Sequence, residues 1–368
     1  MRVVVAFDSF KGSLSAREAN EAFAHAFRDV VKDADIVTVP ISDGGEGLSE
    51  CVGGESVSTF TYDPLMRPIE AQYTIRDDTA VIALAAASGL TLLDTAERDP
   101  LVTTTFGTGV MIADAVRRGC RRILLGLGGS ATHDCGTGLL RALGFCFLDV
   151  HGVELTATMD ILEHTERIEG CAAMLRGVDV AVAVDVDNPL CGARGAAEVY
   201  ARQKGAADAD VERLDSATRH FATAVAQHVG ADYSAERGMG AAGGTAFGLR
   251  ALLDVVPMSG IDLVLDLAQF DALVKDADLV VTGEGHVDRQ TVMGKAPSGV
   301  LRCALRHDVR CVAVGGGVEW SEELESAGFA AIYSATPDGM PLSVAMQRTI
   351  AIHNLRNIGG RVAVDMQK

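Results

Sequence analysis

Residues 1–18 read MRVVVAFDSFKGSLSARE: an apolar run that ends at Asp8, a short polar loop, and the start of a helix. The run Val3–Phe7 shows no polar alternation, so it reads as a strand covered on both faces, as in parallel sheets. Ser15 stands three residues before Glu18, the spacing of a capping box, and predicts a helix from Ala16 to Val31. A buried strand, a turn rich in Asp, Ser and Gly, and then a helix form the repeating unit of an α/β fold. The same grammar returns in ADIVTVPI (34–41), TAVIALA (79–85), RRILLGLGGS (121–130), DVAVAVDVDNP (179–189), DADLVVTGEGH (276–286) and VRCVAVGGG (309–317). The carboxyl ends of these runs carry Gly, Asp or Ser, where open α/β sheets bind their ligands.

Between the second and third runs the pattern changes. Residues 56–80, SVSTFTYDPLMRPIEAQYTIRDDTA, alternate polar and apolar side chains around Pro-containing turns, as an antiparallel element does. A chain of 368 residues exceeds the size at which one core usually stops growing. The expectation is therefore a discontinuous parallel-sheet domain, residues 1–58 with 265–368, and an inserted mixed α/β domain, residues 59–264.

Composition narrows the function. The chain has 32 Lys and Arg against 50 Asp and Glu, a net charge of −18, yet it is 48% hydrophobic and 22% charged, which excludes a disordered acidic polymer. Its field repels nucleic-acid backbones and anionic membrane surfaces, and no basic patch offsets it, so neither is expected as a partner. No apolar stretch approaches the roughly 18 residues of a membrane span. The eight cysteines lack paired metal or disulfide spacing and point to a reducing cytoplasm. Self-association into a homo-oligomer is left open. Only six lysines occur, and Lys11, Lys204 and Lys295 each adjoin a glycine, as suits local neutralisation of a small anion.

Six stretches carry candidate chemistry. The loop after the first strand holds Asp8, Lys11 and Ser13, more polar groups than a helix cap requires. Ser42–Gly47 places Asp43 and Glu46 around paired glycines, either a sharp turn and acidic helix start or a contact for a polyol or metal-bound water. In LGLGGSATHDCGTG (125–138), Gly128, Gly129, Ser130 and Thr132 precede a helix and can form an anion nest, without the spacing of a dinucleotide or Walker A motif. Asp185 and Asp187 leave a strand on one side and stand beside Asn188, suited to a hydrated Mg²⁺ or to a general base. The run Gly238–Gly244, with Gly240, Gly243 and Gly244, serves either tight helix packing or a close nucleotide. Glu284, Asp288 and Lys295 stand within about a dozen residues, among glycines, a run that can hold a metal-bound phosphate or form a salt-bridged loop. Nests, carboxylates and isolated lysines, with no Cys/His metal spacing and no Gly-x-Ser-x-Gly elbow, point to phosphoryl transfer. A Mg²⁺-dependent kinase of a small hydroxylated molecule stands ahead of a phosphatase or a lyase.

The stretches AFDSFKGSLSA, PISDGGEG, TTFGTG, LGLGGSATHDCG, DVDNPLCGARGAA with QKGA, GMGAAGG, and TGEGHVDRQT with GKAPSGV occur in one order from Met1 to about Gly360. Together they resemble the bacterial glycerate kinase family, the two-domain type of glyoxylate and glucarate catabolism. The resemblance implies ATP-dependent phosphorylation of D-glycerate with Mg²⁺, usually at the 2-hydroxyl to give 2-phosphoglycerate. It also implies a discontinuous flavodoxin-like domain and a second, restriction-enzyme-like domain. On that reading ATP phosphates lie against the glycine loops at 126–129 or 240–244, with Ser130 and Thr132, and Lys295 and Mg²⁺ neutralise the transferring group. Asp185, Glu284 and Asp288 are the candidate metal ligands, Asp187 or Asp8 would orient or deprotonate the glycerate hydroxyl, and Lys11, Ser13, Asp43, Glu46, Asn188 and Lys204 would bind the substrate. Transfer to the 3-hydroxyl and a non-catalytic sugar-acid-binding module are the alternatives. The chain departs from the family at His133-Asp134-Cys135-Gly136, where Asn-Asp-Gly-Gly is common, and at His286, where arginine is common.

Overall fold

The computed structural model describes residues 1–42 and 53–367, so Asp43 and Glu46 lie outside the described residues. Strands β1 (Arg2–Phe7) and β2 (Asp35–Thr38) open the chain. Next come β3 (Glu55–Tyr62), β4 (Pro68–Arg76), β5 (Thr79–Ala83), β6 (Arg122–Gly126), β7 (Phe145–Leu148), β8 (Arg167–Gly170), β9 (Asp179–Ala183) and β10 (Pro257–Met258). Strands β11 (Leu279–Val287), β12 (Cys311–Val318) and β13 (Ala331–Ser334) complete the set. The chain divides into two compact units, Met1–Val52 with Ser259–Lys368, and Gly53–Met258. The boundaries drawn on the sequence lie a few residues later at each crossing. The helix Gly260–Leu267 belongs with the first unit, where Ile261 packs so closely on Gly299 that a Cβ there would meet it at 2.5 Å.

The first unit is a five-stranded sheet in the order β13-β12-β11-β1-β2, with every neighbouring pair parallel. β1 lies between β2 and β11 and is buried from Val3 through Phe7, which is why its run of apolar residues is unbroken. The helix Ala16–Val30 begins with the expected capping box: Glu18 N–H donates to Ser15 Oγ at 3.2 Å, and Ser15 N–H donates to Glu18 Oε2 at 2.9 Å. Phe7, Phe23 and Phe27 form its aromatic core.

The second unit has a mixed six-stranded sheet, β10-β9-β6-β5-β4-β3. β3, β4 and β5 pair antiparallel, as their alternating sequence demands, and β5, β6, β9 and β10 pair parallel. β7 and β8 form a separate antiparallel pair. Among the described residues no helix is long and apolar enough to cross a membrane.

Asn20 clasps the functional end of β1 to its helix. Buried completely, it accepts from Phe7 N–H at 3.2 Å and donates to the Ala16 and Phe7 carbonyls at 2.7 and 3.3 Å. Removing a buried polar partner costs about 1–3 kcal/mol, so Asn20→Ala should lower the stability of the first unit by that amount in urea unfolding.

Candidate active site

The carboxyl ends of β1 and β11 lie side by side in the first unit, at the point where its strand order reverses. In open α/β sheets this is where a crevice forms. A cavity of about 540 Å³ lies here, lined by Ser9, Lys11 and Ser13 from the loop after β1, by Glu284 and His286 from the end of β11, and by Lys295. Glycines bring these segments together: a Cβ on Gly283 would collide with the Val314 carbonyl, and one on Gly316 would come within 2.5 Å of the Gly285 carbonyl. The loop is braced by Phe10 N–H donating to the Leu14 carbonyl at 2.9 Å, and it turns at Gly12, whose φ of 75° favours glycine. Asp8 is 5% exposed and accepts from Ser9 N–H at 2.6 Å. Ser13 Oγ is buried beside the cavity without a hydrogen-bond partner.

Lys295 Nζ stands between two carboxylates, 3.8 Å from Glu284 Oε2 and 3.9 Å from Asp288 Oδ1. Each carboxylate is held from another side. Thr291 Oγ1 donates to Glu284 Oε1 at 2.7 Å, while Asp288 Oδ1 accepts from Gln290 N–H at 2.7 Å and Thr291 N–H at 3.2 Å. Lys295 itself precedes the helix Ala296–Arg306, and Pro297 in its first turn has no N–H to leave unpaired. The result is a cation between hard oxygen donors, a set whose chemistry fits Mg²⁺ and phosphate together.

In the second unit the sequence candidates gather at the carboxyl ends of β6 and β9. Gly128 and Gly129 are exposed, and the space a Cβ on Gly128 would take is open. Ser130 and Thr132 are buried above Lys204, which is 2% exposed and donates from Nζ to Ser130 Oγ at 2.8 Å and the Thr132 carbonyl at 2.7 Å. Burial pushes the Lys204 ammonium down to about 7, against the pull of Asp134. Asp134 is fully buried; its Oδ2 accepts from Thr105 N–H at 2.7 Å, Thr105 Oγ1 at 2.8 Å and Gly138 N–H at 3.2 Å. Asp185 and Asp187 are exposed, and Asp187 Oδ1 accepts from Arg237 Nε at 3.1 Å. Asn188 spends its amide inside its own loop, donating to the Arg194 carbonyl at 2.8 Å and accepting from Tyr200 at 2.6 Å.

The glycine run reads differently in three dimensions. A Cβ on Gly240 would reach the Pro189 carbonyl at 2.6 Å, one on Gly243 would collide with the Thr132 carbonyl, and one on Gly244 would meet Cys135 Sγ at 2.7 Å. Gly243 and Gly244 have φ of 63° and 85°, so the regular part of the helix Ala241–Leu253 begins only after them. Close packing of three loops accounts for glycine at these positions.

Comparison with known proteins adds the decisive observation. The sequence profile described as the glycerate kinase family matches residues 3–367. This chain belongs to the glycerate kinase family. Within it, the chain is 40% identical to a glycerate kinase of Bacillus subtilis (strain 168), over 94% of this chain and 93% of that one. It is 38% identical to the glycerate 2-kinase of Escherichia coli (strain K12), over 86% of each. A crystal structure described as a candidate glycerate kinase 2 from Salmonella typhimurium LT2 superposes with a TM-score of 0.87 at 37% identity, covering 100% of this chain and 98% of that one.

Against the glycerate kinase pattern, the two departures have different surroundings. His286 is exposed, with Nε2 3.7 Å from Glu319 Oε2. His133 is fully buried, its Nε2 3.0 Å from Thr218 Oγ1 and its Nδ1 without a partner. What the motifs missed is the uncharged wall of the cavity, from residues 335–355. One signal was available: Asn354 interrupts the apolar stripe of Ala351, Leu355, Ile358 and Val362 on the last helix, and it is 3% exposed.

Burial, then the Lys204 charge, drives His133 from 6.5 down to about 3. The unfolded chain therefore binds a proton below pH 6.5 that the folded chain refuses, and His133 costs stability progressively as pH falls from 6.5 toward 3. His133→Asn should remove that loss, on the order of a few kcal/mol at the acid end. Urea unfolding of both proteins across this range measures it: the two should agree near pH 7.5 and diverge below 6.

Proposed function

We propose that this member of the glycerate kinase family transfers the γ-phosphoryl group of ATP to the 2-hydroxyl of D-glycerate. The observation that carries the reading is Lys295 held between Glu284 and Asp288 at the carboxyl ends of parallel strands. A cation there meets the charge that develops on a transferring phosphoryl group, and stabilisation of that charge is usually the largest catalytic contribution. Glu284 and Asp288 would hold Mg²⁺ in the first unit, where the ion would neutralise phosphate charge and orient the leaving group; Asp185 is a separate metal-ligand candidate within the second unit.

Lys11 and Ser13 are the groups we assign to the substrate's anionic and hydroxyl oxygens, Ser13 Oγ having no protein partner. Asp43 and Glu46 remain candidates for its hydroxyls from outside the described residues. Asp8 and Asp187 are the candidate bases. Asp8 is the more buried, whereas Asp187 is exposed and pairs with Arg237. Gly128 and Gly129, exposed at the end of β6, are the candidate anion nest of the second unit. Ser130, Lys204 and Asn188, whose side-chain bonds run within the protein, and Thr132, whose carbonyl accepts from Lys204 while its buried hydroxyl has no partner, shape that end of the unit. Gly240, Gly243 and Gly244 let its loops pack.

The first unit's strands, numbered within the unit, follow the order 2-1-3-4-5, which supports a flavodoxin-like assignment. The mixed sheet of the second unit is compatible with a restriction-enzyme-like one. The seven free cysteines among the described residues fit a reducing cytoplasm.

With Mg²⁺, ATP and D-glycerate, the protein should release ADP and give 2-phosphoglycerate by phosphorus NMR. Formation of 3-phosphoglycerate would overturn the regiochemistry, and glycerate binding without ADP release would overturn the enzyme. Lys295→Met should lower kcat by about 100-fold or more while the fold melts as in the wild type. Asp8→Asn and Asp187→Asn divide the base role: the variant that loses about 100-fold or more in kcat marks the base.

A further inference from the structure

The cavity of the first unit has two kinds of lining, and they come from different parts of the chain. Its charged groups, Lys11, Glu284 and Lys295, and the imidazole of His286 belong to the loop after β1 and to the segment from β11 to the following helix. The contribution of residues 335–355 is uncharged throughout: Met340, Leu342, Ala345, Met346 and Leu355 are apolar, with Thr336 and Asn354 as polar groups among them. At about 540 Å³ the space falls in the range of pockets for drug-sized ligands, roughly 300–1,000 Å³. It is several-fold larger than a three-carbon acid fills. Glycerate, a carboxylate and two hydroxyls on three carbons, has almost no apolar surface to offer such a wall.

A ligand with one flat apolar end and one polyanionic end matches both linings. We propose that the uncharged wall formed by residues 335–355 is the seat of the base and ribose of the nucleotide, with the phosphates directed to Lys295 and the carboxylates beside it. The proposal rests on the kinase reading and adds the location of the nucleotide. The thioethers of Met340 and Met346 are adaptable surfaces for an aromatic ring. Met346 reaches the loop after β1, its Cε 3.0 Å from where a Cβ on Gly12 would stand, so the apolar wall is continuous with the charged one. Asn354, 3% exposed with its Nδ2 3.5 Å from the Met340 sulfur, places a carboxamide in the wall that can read the hydrogen-bonding edge of a base. Leu342, 74% exposed, is an apolar rim residue that a bound nucleoside would cover.

Two substitutions test the location in the full-length protein. Ala345→Trp fills the wall, and Leu342→Asp puts a charge on its exposed rim, where the fold does not depend on the side chain. Calorimetric titration with Mg·ADP, adenosine and inorganic tripolyphosphate separates the base from the phosphates. Both variants should weaken Mg·ADP at least tenfold and abolish adenosine binding, with tripolyphosphate affinity within twofold of the wild type. If Ala345→Trp fails to fold, Leu342→Asp carries the test alone. Wild-type affinity for Mg·ADP and an unchanged KM for ATP in the folded variants would overturn the nucleoside site and leave the kinase reading intact. A wild-type protein that neither binds Mg·ADP nor phosphorylates glycerate would overturn both.

Discussion

Parallel pairing of β1 with β11 is the constraint on which the first unit depends. Val3–Phe7 lie against Leu279–Gly283, joining residues some 276 positions apart, and Thr282 Oγ1 donates to the Ala6 carbonyl at 2.7 Å within the same ladder. Closing so long a loop is entropically costly, though the cost grows only slowly with length. It is offset by burial of the paired segments Val3–Phe7 and Leu279–Gly283 at the centre of a five-stranded sheet. The same pairing brings the Asp8–Ser13 loop beside Glu284 and, through the helix that follows, Lys295. Each of these groups leaves the sheet at a carboxyl end, so the register that builds the core also assembles the site.

The two units use their cations in opposite ways. Lys295 is partly exposed between two carboxylates, available to an anion that displaces or joins them. Lys204 is sealed, its ammonium spent on Ser130 and the Thr132 carbonyl, and burial rather than a counter-ion governs its protonation. Beside it, Asp134 gathers donors from the Thr105 and Gly138 segments. A chain with net charge −18 can therefore receive an anionic substrate through a few placed cations and backbone donors, while the bulk of its acidic groups faces solvent.

The α/β character, the antiparallel stretch within residues 56–80 and the helix cap at Ser15 were all legible, because each depends on local periodicity or on a short-range hydrogen bond. The gathering of Asp8, Lys11, Glu284 and Lys295 could be inferred only as a list of strand-end residues. The glycine run shows the limit most clearly. GMGAAGG suits a phosphate or a packed loop equally well on paper, and what decides is whether the Thr132, Pro189 and Cys135 segments already occupy the space.

By itself the sequence determined where strands end and which chemical groups stand there, since unbroken apolar runs and Gly/Asp turns are imposed by burial and backbone geometry within a few residues. It also determined the family, through motifs in one order along nearly the whole chain. Tertiary structure alone decided which lysine is open and which is sealed, which glycines are packing elements, and that residues 335–355 wall the cavity with uncharged side chains. Those properties are set by neighbours distant in sequence, whose approach depends on the register of the sheet and the packing of helices rather than on any local pattern.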